Sequence, residues 1–284
     1  MQIKTVGVLG CGLMGSGIAQ VCAASGYKTI VREVNDQFLD KGLSRIRKFL
    51  DDGVAKGKVP GEARDKTLAN LSGTTTFDAL RPCDLVIEAI VENLDEKKQT
   101  YAALEGCVPA QTLFVSNTSS LCITELAAST RRPDRFAGLH FFNPVPIMKL
   151  VEVIRALTTS DETYDALMKF AQSLGKEPIT APDRPGFIVN RLLVPYLLDA
   201  VRAYENGLGT LDDIDKGMKL GCGYPMGPFT LLDFVGLDTT YYIANIMFEE
   251  FREPAYAPPP LLKRMVLAGR LGKKSGRGFY KYEV

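Results

Sequence analysis

The only imidazole among 284 residues is His140. It ends the apolar run from Phe136 and precedes Phe141-Phe142-Asn143-Pro144. Imidazole exchanges a proton near neutral pH, so it can act as base towards a hydroxyl that is losing a hydride. A lone histidine is more often structural. A strand end in a nucleotide-binding chain is where it would instead do chemistry. A carboxylate fixing the ring tautomer would complete such a base. Glu152, on the next apolar run, is a candidate, and an ion pair with Lys149 or Arg155 is its competing role.

The nucleotide signal is at the amino terminus, where Val6-Gly7-Val8-Leu9 runs into Gly10-Cys11-Gly12-Leu13-Met14-Gly15. Gly10 permits the tight turn, Gly12 lets backbone approach a pyrophosphate, and Gly15 lets helix pack on strand. Leu13 and Met14 complete the loop, and the anion sits at the positive end of the helix that follows, expected over 16–25. After a second strand, 28–31, Glu33 falls where an acid binds the adenosine ribose hydroxyls. Three glycines alone often make only a turn; strand before, helix after and acid beyond make a dinucleotide site.

The elements that position these groups alternate. Leu39, Leu43, Ile46, Leu50 and Val54 form an apolar stripe on a helix capped by Asn35 and reaching Lys56. Its remaining surface carries Lys41, Arg45, Arg47 and Lys48, which by itself reads as a solvated face. A short helix, 62–70, and thin strand, 73–76, follow. Strands are expected at 84–89, 112–116 and 136–142, with others at 151–154 and 177–180, and helices at 95–106 and 161–175. This pattern predicts a Rossmann-type doubly wound α/β sheet. Ligands then meet the carboxyl ends of strands, where Glu88, Glu92 and Asn117-Thr118-Ser119-Ser120 emerge.

Near Asp183-Arg184-Pro185-Gly186 the alternation stops and helices take over, so domains are expected at 1–184 and 185–284. The segment 187–206 is apolar nearly all round, predicting full burial with a kink at Pro195. Helices follow at 210–220, at 228–251 broken by Gly236, and from Pro258-Pro259-Pro260; the tail from Gly272 reads as irregular.

A net charge of +1 excludes global attraction to nucleic acid or membrane. The N-terminal apolar run reads as a strand, not a secretory signal, and no run reaches a membrane span. Six scattered cysteines and one histidine give no zinc spacing. The expectation is a cytoplasmic protein with reduced cysteines and no metal.

Taken in order, the glycine turn, Asn117-Thr118-Ser119-Ser120, His140-Phe141-Phe142-Asn143-Pro144, Pro185-Gly186-Phe187-x-x-Asn190-Arg191, Pro225-Met226-Gly227-Pro228 and the tail Gly276 to Tyr282 resemble the short-chain L-3-hydroxyacyl-CoA dehydrogenases. Within that family the chain is most similar to bacterial 3-hydroxybutyryl-CoA dehydrogenases. The resemblance implies NAD-dependent interconversion of (S)-3-hydroxybutyryl-CoA and acetoacetyl-CoA, and a homodimer through the helical C-terminal domain. His140 would be general acid and base with Glu152 as its partner. Ser119 and Asn190 would bond the substrate oxygens. Glu92, Lys97 and Asn117 would line the nicotinamide half of the cofactor site, with Asn143 beside it or holding the His–Glu geometry. Lys56 and Lys48 would meet coenzyme A phosphates. Glu33 stands where the family commonly carries Asp. Two other readings differ in testable ways: a same-fold dehydrogenase of longer acyl-CoA or free hydroxy acids, and a non-catalytic, crystallin-like nucleotide binder. A free-acid enzyme would want a catalytic lysine, and the intact Ser119, His140, Glu152 and Asn190 set argues against a binder.

Overall fold

The computed structural model describes residues 2–283. Its strands are β1 (Thr5–Leu9), β2 (Lys28–Arg32), β3 (Leu71–Thr74), β4 (Leu85–Glu88), β5 (Leu113–Ser116), β6 (Phe136–Phe141), β7 (Leu150–Arg155) and β8 (Glu177–Pro182). Its helices are α1 (Leu13–Ala24), α2 (Asp36–Ala55), α3 (Gly61–Ala69), α4 (Leu94–Glu105), α5 (Ile123–Ala128), α6 (Asp161–Ser173), α7 (Val189–Glu205), α8 (Leu211–Gly221), α9 (Pro228–Val235), α10 (Leu237–Phe251) and α11 (Pro260–Leu267). The chain divides into two compact units, Met1–Asp183 and Arg184–Val284; residues 1 and 284 themselves lie outside the described residues. None of the described helices is long and apolar enough to cross a membrane.

The strands of the first unit form one sheet in the order β3-β2-β1-β4-β5-β6-β7-β8. Strand order reverses between β1 and β4, the switch point where such sheets bind ligands. The central strands β1, β4 and β5 are buried on both faces, which accounts for their continuous apolar runs. The edge strand β8 contains Pro178 and Pro182, which lack the N–H that a further strand would need. One pairing breaks the parallel pattern, because β6 and β7 are antiparallel. The link from Phe141 to Leu150 is too short for a helical crossover, so the chain can only turn back.

Several elements depart from the pattern read in the sequence. Helix α1 starts at Leu13 rather than Ser16, since Gly12 is already its N-cap and the glycine turn itself enters the helix. Strand β3 begins at Leu71, because the Asn70 carbonyl at once accepts the Thr29 N–H. On α2, Leu39, Ile46 and Leu50 are buried as the stripe requires, but Val54 in the last turn is 37% exposed. Asn35 caps this helix by accepting the Phe38 N–H at 2.9 Å. Helix α5 had no local signal. Its first N–H groups, of Ile123 and Thr124, donate to the Asp183 carboxylate at 2.8 and 2.6 Å, a cap supplied from 60 residues away.

In the second unit, α7 is not buried all round. Val194, Leu197, Leu198, Ala200 and Val201 face a core built with α9, α10 and α11, while Leu192 is 73% exposed. Its seventeen residues continue through Pro195 as one helix. Gly236, at φ +104°, separates α9 from α10 where the sequence placed a break.

Candidate active site

The glycine turn has the geometry a dinucleotide requires. Gly10 adopts φ +88°, and a Cβ there would lie 2.6 Å from the Ala89 carbonyl oxygen. A Cβ on Gly15 would collide with the Gly10 carbonyl, whereas one on Gly12 would point into open space. Gly10 and Gly15 are therefore held by internal packing, and Gly12 leaves the cradle that a pyrophosphate would fill. Leu13 and Met14 form the first turn of α1, whose N–H groups have no acceptor within the helix. Beside the turn, Glu33 accepts the Cys11 N–H at 2.6 Å and the Val34 N–H at 2.9 Å. Its neighbour Arg32 instead stacks over Phe77, 4.1 Å from the ring centroid. The acid is thus locked against the glycine turn and the arginine is engaged elsewhere. These residues fit an NAD adenosine ribose.

Antiparallel pairing of β6 and β7 sets His140 directly opposite Glu152. Both are buried, and His140 Nδ1 lies 2.7 Å from Glu152 Oε2. A carboxylate can only accept, so Nδ1 is the donor in this contact, and the neutral tautomer that fits it has its lone pair on Nε2. That atom lies 3.1 Å from Ser119 Oγ. Asn117, the residue after β5, ties the ends of β5 and β6 together, its Oδ1 accepting the Phe141 N–H at 2.9 Å.

The turn bearing Ser119 is held from one side by Glu92. One carboxylate oxygen accepts the Ser119 N–H at 3.1 Å, the Thr118 hydroxyl and, at 3.4 Å, the Ser120 hydroxyl. Its other oxygen lies 3.1 Å from Lys97 Nζ, which also contacts Glu88 at 2.5 Å. Lys97 is fully buried. Burial disfavours its ammonium, but the two carboxylates outweigh that and hold its pKa above the ordinary lysine value. It reaches the site through Glu92.

Asn143 lies in the loop after β6, joined to Pro144 by a cis peptide. Another buried lysine, Lys176, anchors this loop by donating to the carbonyls of Val145 and Met148 at 2.5 and 2.8 Å. Nothing in the local sequence marks Lys176, because its partners are some 28 or more residues away. A cavity of about 80 Å³ adjoins the loop, lined by Leu13, Ser16, Arg45, Phe49, Asn143 and Pro146 among others. Arg45 there donates to the Cys11 carbonyl at 3.2 Å. Lys48 is exposed on α2, and Lys56 is its exposed C-cap. Asn190 lies in the first turn of α7, in the second unit. Among the described residues, no group of three or more His, Cys, Asp or Glu could hold a metal ion.

A dinucleotide cradle with an acid beside it, and a histidine oriented by a buried carboxylate, define a nicotinamide-dependent dehydrogenase. The chain belongs to the 3-hydroxyacyl-CoA dehydrogenase family: residues 5–184 match the family's NAD-binding domain and residues 186–282 its C-terminal domain. It is 49% identical to a 3-hydroxybutyryl-CoA dehydrogenase of Mycobacterium tuberculosis, over 99% of each chain. It is also 49% identical to the mitochondrial hydroxyacyl-coenzyme A dehydrogenase of Sus scrofa, covering 99% of this chain and 92% of that one. The crystal structure of (S)-3-hydroxybutyryl-CoA dehydrogenase from Ralstonia eutropha superposes with a TM-score of 0.95 at 44% identity, covering both chains fully.

Proposed function

We propose that this enzyme interconverts (S)-3-hydroxybutyryl-CoA and acetoacetyl-CoA, with His140 as the proton-transferring group. The observation carrying this reading is the aligned series Glu152, His140 and Ser119, with contacts of 2.7 and 3.1 Å. Bound NAD supplies the hydride acceptor, and NADH the donor. In oxidation His140 Nε2 takes the proton of the C3 hydroxyl, and in reduction it returns that proton to the ketone oxygen. Glu152 compensates the charge of the imidazolium, and Ser119 Oγ, adjacent to Nε2, bonds the substrate oxygen. Glu92, Lys97, Asn117 and Asn143 serve the nicotinamide half of the cofactor site, and Glu33 the adenosine ribose.

The coenzyme A reading rests on α2. At about 100° per residue, Arg45, Phe49 and Lys56 fall within about 40° of one another on its surface, with Lys48 about 60° to one side. Phe49 and Arg45 line the small cavity, and Lys56 follows roughly 10 Å beyond Phe49 along the helix. This stripe offers an aromatic face and then cations, as an extended thioester cofactor ending in phosphates requires.

In this reading residues 1–184 bind NAD and 185–284 bind substrate and dimerise. The second unit exposes large apolar side chains, Leu208, Leu220, Phe234 and Leu267 among them, which supports a homodimer. All six cysteines are unpaired, in keeping with a cytoplasmic location.

The deciding experiment follows the reduced-nicotinamide absorbance with acetoacetyl-CoA and either NADH or NADPH. Turnover of acetoacetyl-CoA with NADH preferred at least about tenfold is expected, since a 2′-phosphate would oppose Glu33. Failure to turn over acetoacetyl-CoA would sink the substrate assignment, and preference for NADPH would remove Glu33 from the ribose.

A further inference from the structure

Glu88 ends β4 with its carboxylate wholly out of water. It accepts the Ile90 N–H at 2.8 Å, the Ser116 hydroxyl at 2.7 Å and the Lys97 ammonium at 2.5 Å. Stability alone does not call for such a pair, since well-packed apolar side chains of similar volume commonly serve a core as well or better. What distinguishes this one is where its partners lead. Lys97 continues to Glu92, and Glu92 gathers the Thr118 hydroxyl, the Ser119 N–H and the Ser120 hydroxyl. Ser116 Oγ, the other arm, accepts the Thr118 N–H at 3.3 Å. Two hydrogen-bonded paths therefore leave one buried carboxylate and converge on the turn that carries Ser119.

We propose that Glu88 is a positioning residue for the dehydrogenase reaction, holding the 118–120 turn through Lys97–Glu92 and through Ser116 so that Ser119 Oγ stays aligned with His140 Nε2. The inference rests on the reading of Ser119 and His140 given above. Removing the Glu88 charge leaves Lys97 paired with Glu92 alone. Lys97 then draws Glu92 off the turn, and Ser119 loses its fixed place.

The test is a double-mutant cycle in which kcat and KM for acetoacetyl-CoA are measured at saturating NADH, the hydride donor for its reduction. Glu88→Gln is expected to lower kcat about tenfold, the scale of a sub-ångström misplacement, with KM for acetoacetyl-CoA within about twofold. In a Ser119→Ala background the same substitution should change kcat less than about twofold, because the group it positions is gone. An equal loss in both backgrounds, or none in either, overturns the proposal. Should Glu88→Gln not fold, Ser116→Ala breaks the second arm without removing a charge. It should lower kcat about threefold with the same dependence on Ser119, and an equal loss in both backgrounds is again fatal. Ser119→Ala with undiminished kcat is a separate failure, since it removes Ser119 from the reaction itself.

Discussion

Both units bury carboxylates, and they use them differently. In the second unit Asp215 accepts the N–H groups of Phe229 and Thr230 at 2.7 and 3.0 Å, the Thr230 hydroxyl at 2.6 Å and the Tyr280 hydroxyl at 3.2 Å. Asp233 accepts the N–H groups of Phe279 and Tyr280, both at 2.8 Å, and the Tyr282 hydroxyl at 3.0 Å. These acids fasten the start of α9 and the irregular C-terminal tail. These partners are backbone amides and hydroxyls that stay neutral at physiological pH. Burial pushes the Asp233 pKa up, while the donors of Tyr280, Phe279 and Tyr282 pull against it. In the first unit Glu152 faces an imidazole, and Glu88 and Glu92 face an ammonium. A buried acid among backbone donors secures the chain. One beside a group that can gain or lose a proton can also take part in a reaction.

Substitutions sharpen this contrast, beginning with the largest expected effect. His140→Asn should lower kcat roughly 10²- to 10⁴-fold, the worth of a positioned general base. NADH affinity by fluorescence should be retained; near-normal turnover would put the proton transfer elsewhere. Glu152→Gln keeps a hydrogen-bonding group beside the ring but no compensating charge, and a loss of about 10²-fold is expected. If rate and pH profile were both unchanged, Glu152 would join Asp215 and Asp233 as a structural acid. Lys56→Ala removes an exposed cation, so the KM for acetoacetyl-CoA should rise only several-fold, the worth of about 1 kcal/mol. That rise should fade with added salt, and an unchanged KM at low ionic strength would move the phosphates off α2. Asp233→Asn should leave kcat per folded molecule unchanged while lowering stability by about 1–3 kcal/mol, because an amide cannot accept from both tail N–H groups. Denaturant titration beside the activity assay separates the two, and a fall in kcat at constant stability would break the comparison.

The sequence made legible those features whose causes are local. The glycine turn, the Asn35 cap, the break at Gly236 and the strand end at His140 are each written in a few consecutive residues. What escaped depends on partners far along the chain. Helix α5 is capped by Asp183, the loop after β6 is anchored by Lys176, and Glu88 was visible only as a polar group at a strand end. The exposed side of α7 escaped for a different reason. Its composition is apolar on several faces, and only the packed structure separates the covered side from Leu192. In the site, residue types were readable, whereas the hydrogen bonds joining Glu88, Lys97, Glu92 and Ser119 were not.

The His140–Glu152 contact is a single rung of the β6–β7 ladder, and β7 is itself covered on its far side by β8. Heat therefore cannot slacken the dyad by loosening a loop; the strands must part. Opening interior strands requires close to the free energy of unfolding the whole unit. Thermal inactivation should accordingly track the melting of the sheet, and the amide protons of β6 and β7 should be among the slowest to exchange with solvent. Register adds a second consequence. Lengthening the loop between Phe141 and Leu150 leaves the pairing intact, but a one-residue slip within β7 would bring Val151 or Val153 opposite the imidazole and turn Glu152 to the other face. Such an enzyme would keep His140 and lose the carboxylate that orients it.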